Sequence, residues 1–323
     1  MEQPILQVRN LEKYFDTPRG QLHAVGGVSF DVEKGRTLGI VGESGCGKST
    51  TGRCIIRLLE PTDGQVIFEG KDILELSTKE LRNMRKDMQI IFQDPYSSLD
   101  PRLTVSKLIS EPIILNKLIT DKKELQTRVL ELMEVVGLAE RLYHSYPHEL
   151  DGGRHQRAGI ARALAVNPKL IICDEPVSAL DVSIQAQILN LLKDLQSKLG
   201  LIYIFITHDL SVIYYFADDI VVMYLGELIE KAPAEELFSN PLHPYTRALL
   251  NAIPVFDIDR AKEEKTLIKG EISSPINLKD ECCFLNRCDC ASDQCRQKNP
   301  ELREVSPKHF LACYHPLEKA ENR

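Results

Sequence analysis

The chain has 323 residues, of which 43% are hydrophobic and 27% charged, and its formal net charge is −7. This length allows one large domain with a substantial core and a smaller one beside it. The acidic balance argues against a protein that binds nucleic acid by broad phosphate neutralisation. No apolar run approaches the roughly 18 residues of a membrane span. The first residues, MEQPILQVRN, lack the basic and apolar regions of a signal peptide, so a cytosolic location is expected.

The N-terminal part of the chain alternates between strand and helix patterns. Strands are predicted at ILQVRNL, GVSFDV and RTLGIVG, then a helix over residues 48–59, and further strands at QVIFEG and MQIIF. From about residue 104 to 166 the periodicity is helical without strands. Strands return at KLIICDE and LIYIFITH, with a helix between them. Their continuous apolar runs suit a parallel sheet buried on both faces, so the pattern predicts an α/β core interrupted by a helical insertion.

After NPLHPYTRALLNAIP the composition becomes polar, and a linker is predicted near residues 254–275. The sequence shows no internal repeat, which indicates a single copy of the α/β unit.

The nine cysteines are unevenly distributed. Three are scattered, and Cys46 and Cys173 are interpreted as packing residues. Six fall in one short C-terminal stretch, at Cys282, Cys283, Cys288, Cys290, Cys295 and Cys313. In a reducing compartment such a group predicts a metal site before it predicts disulfides.

A glycine-rich turn follows the RTLGIVG strand and precedes the first predicted helix. Residues 42–49 read GESGCGKS and match G-x-x-x-x-G-K-[ST]. In this pattern the glycines let backbone N–H groups and the helix N-terminus face phosphates. Lys48 is expected to reach the β- and γ-phosphates and Ser49 to ligate Mg²⁺. The predicted nucleotide contacts here are Gly42, Glu43, Ser44, Gly45, Cys46, Gly47, Lys48, Ser49 and Thr50.

The segment LIICDE predicts the complementary acids. Its apolar run ends in Asp174, which places a carboxylate at the C-terminal edge of a buried strand as a candidate magnesium ligand. Glu175 follows directly and is the candidate general base for an attacking water.

The order of GESGCGKS, IIFQDP, ELDGGRHQR, LIICDEPVSALD and FITHD resembles the ATPase subunit of an ATP-binding cassette (ABC) transporter over about residues 5–250. The resemblance implies an α/β P-loop NTPase fold with a RecA-like parallel-sheet core, an antiparallel β-subdomain and a helical subdomain at about 96–165. It places this nucleotide-binding domain at residues 1–253. Such ATPases work in pairs, so a second copy or a homologous partner is implied.

The same resemblance implies roles for single residues. Gln93 corresponds to the glutamine that contacts Mg²⁺ and the water, and His208 to the histidine that contacts the γ-phosphate. Asp181, in SALD, corresponds to the aspartate of the loop that crosses to the other subunit. Phe15 corresponds to the aromatic residue that stacks on adenine, with Tyr14 as the alternative.

Several stretches, including IIFQDPYSSLDPR, YPHEL and NPLHPYTRALL, are similar to ATPases of the oligopeptide/dipeptide permeases, and details favour the F-type subunit. This implies a D-type partner ATPase, two transmembrane permease subunits, an extracytoplasmic binding protein and a place at the cytoplasmic face of a prokaryotic membrane. Nickel, glutathione or cell-wall peptides are alternative substrates. ABC ATPases of DNA repair or translation are disfavoured, because the helical segment is short and the cassette single.

That family carries a C-x-F-x-x-R-C motif, which here is CCFLNRC within a C-terminal extension at 254–323. The resemblance implies a [4Fe–4S] cluster on Cys282, Cys288, Cys295 and Cys313, with zinc or plain thiols as alternatives. Cys283 and Cys290 are extra cysteines: one could substitute as a ligand, or both are bystanders. His309 and His315 are alternative ligands but are interpreted as ordinary surface residues.

The stretch ELDGGRHQR departs from the family signature L-S-G-G-Q-R-Q-R at three positions: Asp151 for Ser, Arg154 for Gln and His155 for Arg. In the resemblance, position 151 with Gly152 and Gly153 contacts the partner's nucleotide, where the serine donates a hydrogen bond. An ionised Asp151 can only accept, so impaired chemistry at the partner's site and an asymmetric heterodimer are predicted. Asp151 is also expected to cap a helix, and Arg154 is expected to offset part of the loss by pairing with Asp151 or with the phosphate.

Overall fold

The computed structural model describes residues 3–253, 270 and 274–318. Nearly all of the predicted linker at 254–275 lies outside the described residues, and the predicted domain boundary at 253/254 stays a prediction. The described chain forms two compact units. The first takes Met1–Glu33, Thr37–Leu74 and Thr207–Arg323, and the second takes Lys34–Arg36 and Glu75–Ile206.

Both units are built from strands and helices. The strands are β1 (Leu6–Thr17), β2 (Gly20–Val32), β3 (Thr37–Val41), β4 (Asp63–Phe68), β5 (Lys71–Asp72), β6 (Met88–Ile91), β7 (Leu170–Asp174), β8 (Ile202–Ile206), β9 (Asp219–Tyr224), β10 (Glu227–Pro233), β11 (Arg303–Ser306) and β12 (His309–Leu311). The helices are α1 (Lys48–Ile55), α2 (Thr78–Met84), α3 (Pro95–Ser98), α4 (Val105–Leu115), α5 (Lys122–Val135), α6 (Gly152–Leu164), α7 (Val182–Leu199), α8 (Leu210–Phe216), α9 (Ala234–Ser239), α10 (Pro244–Asn251) and α11 (Gln294–Gln297).

The first unit contains an antiparallel sheet and a mixed set of strands. In the sheet, β1 lies between β2 and β4, and β4 pairs with β5. In the mixed set, β3 runs parallel to β9, and β10 pairs antiparallel with β9 and β12. The short hairpin β11–β12 therefore attaches the C-terminal segment to β10. Helix α1 packs on β1 and β2, and α8 packs on β3.

The second unit combines parallel strands with a helical insertion. Strands β6, β7 and β8 run parallel, and every residue of β7 and β8 is buried, as their continuous apolar runs predict. Residues 92–169, between β6 and β7, contain helices and no strand. Helix α6 packs against α3, α4, α5 and α7. The predicted α/β core, antiparallel sheet and helical insertion are thus confirmed.

Two local differences from the sequence expectations have simple causes. The first helix ends at Ile55 and not at residue 59, because Arg57 adopts φ 53° and its N–H bonds to Cys54 O. Helix α2 was not predicted, although Ser77 and Glu80 form a capping box whose S-x-x-E signature is visible in the sequence. Across the described ranges, no helix combines the length and apolar character that a bilayer crossing needs.

Candidate functional site

The glycine-rich turn between β3 and α1 requires glycine for steric reasons. Gly42, Gly45 and Gly47 have φ values of 153°, 79° and 102°. A Cβ on Gly42 would lie 2.2 Å from the Met223 carbonyl oxygen, and one on Gly47 would lie 2.1 Å from that of Ala24. No side chain fits at either position, so only glycine lets the backbone turn this tightly from β3 into α1. Turns of this kind that lead into a helix N-terminus are typical anion-binding sites.

Lys48 is held inside this turn. Its side chain is buried, and its ammonium donates to the carbonyl oxygens of Gly42 at 2.8 Å and Glu43 at 2.9 Å. Cys46 is also buried, and burial raises the pKa of its thiol, in keeping with a packing role. The loop thus carries a cation fixed by its own backbone, which is the arrangement that a phosphate-binding loop needs.

Two aromatic side chains on β1 remain candidates for stacking on a base. Phe15 is half-buried, with Lys13 Nζ 4.8 Å from its ring centroid. The ring of Tyr14 lies 4.5 Å from that of His23, and burial, with a hydrogen bond to Glu12, raises the pKa of Tyr14 to about 12. Both rings keep some exposed surface, so the choice of Phe15 stays a prediction.

His208 lies at the start of the segment that leads into α8. Its neighbour Thr207 is buried and donates through its backbone N–H to Ile40 O at 3.1 Å, which fixes this part of the chain against β3. His208 itself is exposed, and Asp209 caps α8 directly after it. An imidazole placed in this way is accessible to a ligand.

In the second unit, the predicted acids lie at the end of β7. Asp174 is fully buried, and Glu175 adopts φ 47°, a left-handed conformation that is uncommon outside glycine. The Glu175 N–H donates to Ile206 O at 2.9 Å. Gln93 donates through Nε2 to Glu175 Oε2 at 2.9 Å, so the structure brings these two predicted residues together. This hydrogen bond fixes the orientation of the Glu175 carboxylate.

The predicted cap and ion pair at the N-terminus of α6 are both confirmed. Asp151 is the N-cap residue, and its Oδ1 accepts a hydrogen bond from Arg154 N at 2.8 Å. Arg154 Nη1 lies 3.4 Å from Asp151 Oδ2. The side chain of Asp151 is 63% exposed and that of Arg154 45%, so this ion pair contributes at most about 1 kcal/mol to stability.

The two glycines that follow are closely packed within the same unit. A Cβ on Gly153 would lie 2.8 Å from Ile184, and one on Gly152 would lie 3.2 Å from Leu180. Asp181 occupies the N-cap position of α7 and is exposed. Asp151 and Asp181 are therefore both open to solvent at helix starts.

Of the three residues that differ from the family signature, His155 is buried, whereas Asp151 and Arg154 are exposed. Its side chain is 1% exposed and its ring lies 4.4 Å from the ring of Tyr96. Burial lowers the pKa of His155 below its usual value, so the imidazole is neutral at physiological pH. The replacement of arginine by histidine here changes the interior of the helical insertion and not its surface.

All nine cysteines lie in the described ranges, and each is a free thiol. The thiols of Cys282, Cys288, Cys295 and Cys313 interact electrostatically with one another in every pairwise combination. Burial raises the pKa of Cys288 to about 11 and that of Cys313 to about 12. Cys283 interacts instead with Cys282 and the carboxylate of Glu227.

The cysteine group does not meet the geometry of a site for one metal ion within the described residues. Among residues 3–253, 270 and 274–318, no three His, Cys, Asp or Glu side chains lie close enough together to hold one metal ion. The four mutually interacting thiols are the predicted set, whereas Cys290 is exposed.

The interpretation of His309 as a surface residue was wrong. Its side chain is fully buried, and Nε2 lies 2.8 Å from Glu230 Oε1. Glu230 also accepts hydrogen bonds from the backbone N–H groups of Leu242 and His243. The histidine therefore gives a buried carboxyl group a hydrogen-bonding partner where β12 joins β10. His315 is partly buried, with Nε2 2.6 Å from Ser292 Oγ.

Sequence reasoning also missed a contact between the cysteine motif and the phosphate loop. Arg287, in CCFLNRC, forms a two-pronged ion pair with Glu43, in GESGCGKS, at 2.6 and 3.0 Å. The two residues are 244 positions apart in the chain, so no local pattern signals their contact. The sequence offered one hint, which was the charged residue Arg287 placed between the cysteines of CCFLNRC.

Comparisons with known proteins agree with this geometry. Residues 25–178 match the ABC transporter family, and residues 229–295 match the oligopeptide/dipeptide transporter C-terminal region. The oligopeptide transport ATP-binding protein AppF of Bacillus subtilis (strain 168) is 49% identical over 322 residues, covering 97% of this chain and 98% of AppF. OppF of the same organism is 51% identical over 315 residues, covering 97% of each chain.

Among solved structures, the dimeric ATP-binding cassette MJ0796 bound to ADP and Pi superposes with a TM-score of 0.66 at 31% sequence identity. The match covers 71% of this chain and 98% of that one. This likeness supports the cassette architecture described above.

Proposed function

Because the chain belongs to the family of ATP-binding subunits of ABC-type oligopeptide and dipeptide transporters, we propose that it hydrolyses ATP to drive peptide uptake through a membrane permease. ATP and Mg²⁺ are the ligands expected of this family. The observation that carries the proposal is the glycine-dependent loop at 42–49 with its buried Lys48. The match of residues 229–295 to the peptide-transporter C-terminal region supports peptides over nickel or glutathione as cargo.

The phosphate loop binds the triphosphate. The N–H groups of residues 42–49 surround the β-phosphate, and the Lys48 ammonium leaves its carbonyl partners to bind the β- and γ-phosphates. Ser49 supplies a hydroxyl ligand to Mg²⁺, and Phe15 or Tyr14 stacks on the adenine. His208 contributes an imidazole hydrogen bond to the γ-phosphate.

The acids at the end of β7 act on the metal and the water. Asp174 would hold Mg²⁺ through its buried carboxylate. Glu175 would accept a proton from the attacking water as general base. Gln93, which already bonds to Glu175 Oε2, keeps that carboxylate oriented and would offer its amide to the water and to Mg²⁺.

Asp151, with Gly152 and Gly153, contacts the nucleotide of a second ATPase subunit. The Asp151 carboxylate is exposed and already accepts a hydrogen bond from its own helix, so it offers a γ-phosphate no donor. Loss of one such donor costs about 3 kcal/mol in comparable sites. We therefore infer a heterodimer with a D-type ATPase, in which this chain's loop serves the hydrolysing site and the other site mainly holds ATP. Asp181 crosses to the same partner.

We propose that the motif cysteines hold a [4Fe–4S] cluster, because soft thiolate ligands select Fe–S clusters or zinc. Cys295 is buried and Cys282, Cys288 and Cys313 are partly buried, so each thiol is at least partly shielded from solvent. Cys282, Cys288, Cys295 and Cys313 would hold it, and the bound cluster would cross-link a small extension with little core of its own. No step of ATP hydrolysis runs through it.

This function places the chain on the cytoplasmic face of a prokaryotic membrane, bound to two permease subunits and supplied by an extracytoplasmic binding protein. Reconstitution tests it. The chain, its partner ATPase and the permease in liposomes should hydrolyse ATP faster when peptide-loaded binding protein is added, and Glu175→Gln in this chain should abolish the stimulation. Stimulation by nickel or glutathione and not by peptide would move the cargo to the alternatives. Stimulation by DNA or ribosomes would refute transport.

The cluster is tested by anaerobic purification with measurement of iron, sulfide and zinc. The proposal predicts about four irons per chain, lost in Cys295→Ser and kept in Cys290→Ser, which is the matched control on an exposed thiol. One zinc per chain, or no metal, would refute it.

A further inference from the structure

One ion pair joins the C-terminal segment to the phosphate loop. Arg287 Nη1 lies 2.6 Å from Glu43 Oε2, and Nη2 lies 3.0 Å from Oε1. The Arg287 side chain is 6% exposed and that of Glu43 24%. The carboxylate holds the pKa of Arg287 above its usual value. Bidentate, charge-assisted hydrogen bonds of this kind fix orientation as well as distance.

Hydrogen bonds hold both backbone polar groups of Glu43, its N–H and its carbonyl. Its N–H donates to Tyr245 Oη at 2.9 Å, and its carbonyl accepts from Lys48 Nζ at 2.9 Å. Glu43 thus touches the buried lysine through its backbone and the C-terminal segment through its side chain. A shift of Glu43 would move the carbonyl that positions the Lys48 ammonium.

Arg287 is itself braced by aromatic packing. Its guanidinium carbon lies 5.7 Å from the ring centroid of Tyr224, and Nη1 lies 3.4 Å from Tyr224 Oη. Phe284 packs edge-on against Tyr224 and Tyr245, with centroids 5.3 and 5.4 Å apart. One 3-10 turn, Leu285–Arg287, connects Phe284 to Arg287, so both anchors lie on one rigid piece of the cysteine motif.

We propose that Arg287 is a positioning residue for the phosphate loop: it holds Glu43, and through it the Lys48 ammonium, in the geometry that binds Mg·ATP. The nucleotide affinity therefore depends on the CCFLNRC segment. This inference rests on the proposed role of residues 42–49 as the phosphate loop.

The first test is equilibrium binding of Mg·ATP to the full chain by titration calorimetry, with steady-state kinetics. Arg287→Gln should weaken binding and raise KM by about tenfold and change kcat by less than about twofold, because small misplacement of a binding group costs at least that much. Glu43→Gln should behave alike, and the double variant Glu43→Gln/Arg287→Gln no worse than either. Arg296→Gln, an exposed arginine of the same segment, is the matched control and should bind normally.

A second comparison separates positioning from stability. Replacing both charges, as Arg287→Met with Glu43→Gln, should restore the free energy of unfolding, because removing a whole buried pair is far less costly than breaking it. The Mg·ATP affinity should remain about tenfold weak. Recovery of affinity together with stability would make Arg287 merely structural and overturn the proposal. If Arg287→Gln does not fold, Arg287→Lys, which keeps the charge without the fork, should bind with intermediate affinity, and normal affinity would again overturn it.

Lys48→Ala distinguishes this inference from the function on which it rests. Mg·ATP binding that survives Lys48→Ala would refute the assignment of the phosphate loop. Binding that is lost in Lys48→Ala but normal in Arg287→Gln and Glu43→Gln would refute the positioning role alone.

Discussion

Replacing Asp151 with serine should raise the ATPase activity of the chain purified without a partner on the order of 100-fold. In a homodimer both sites use this signature, so each lacks the hydroxyl donor. One donor of this type is worth about 3 kcal/mol, and each 1.4 kcal/mol is a factor of ten in rate. Charge repulsion between Asp151 and the γ-phosphate adds to the expected gain.

The same substitution should leave helix α6 intact. Serine caps helices about as well as aspartate, so the hydrogen bond to Arg154 N is kept. The ion pair to Arg154 is lost, but its exposed side chains limit that cost to about 1 kcal/mol. The midpoint of urea unfolding should therefore hardly move while turnover rises.

The assay is phosphate release at saturating Mg·ATP, and Asp151→Gly is the matched control. Glycine is a tolerated N-cap and removes the charge without supplying a side-chain donor, so an intermediate rate is expected. A serine variant that folds, binds ATP and still hydrolyses at the starting rate would refute the reasoning about the donor.

Burial and backbone geometry lead to three further predictions. Burial lowers the pKa of His243 from 6.5 to about 4, so between these pH values the unfolded chain binds a proton that the folded chain does not. The free energy of unfolding should therefore fall by about 3 kcal/mol as the pH drops from 6.5 to 4. His243→Asn should remove this pH dependence in urea unfolding. Burial, and secondly the charge of Glu12, raise the pKa of Glu227 from 4.5 to about 7, so the free energy of unfolding should fall as the pH rises through that range. Glu227→Gln should stabilise the chain by up to about 3 kcal/mol at pH 8. A variant whose stability depends on pH as the parent's does would contradict this. Gly47→Ala should abolish Mg·ATP binding, because its Cβ would lie 2.1 Å from a backbone oxygen. At Gly45 a Cβ meets open space, so Gly45→Ala should cost only about 1–3 kcal/mol of stability through backbone strain.

Local patterns predicted the parts of the molecule whose contacts are local or periodic. The spacing in GESGCGKS implied glycines at 42 and 47, and each is required by a backbone oxygen less than a van der Waals distance away. The apolar runs of β7 and β8 implied strands buried on both faces, and both are. Asp151 was expected to cap α6, which requires only the first turn of that helix.

Contacts between distant segments had no such signal. The pairing of Arg287 with Glu43 and of His309 with Glu230 depends on how the C-terminal segment returns to the first unit. A polar, cysteine-rich stretch has neither the period of a helix nor that of a strand, so β11 and β12 were not predicted. The left-handed backbone of Glu175 is likewise set by its surroundings and not by its residue type.

ATP turnover of the assembled transporter, measured with a general-base substitution in one ATPase at a time, tests the central claim most directly. Glu175→Gln in this chain should reduce turnover by about 10³-fold, because the site that uses this chain's loop carries the hydrolysis. The equivalent substitution in the partner ATPase should leave most of the turnover, since that site faces Asp151. Equal loss from the two substitutions would contradict the asymmetry, and full turnover with Glu175→Gln would contradict the assignment of Glu175 itself.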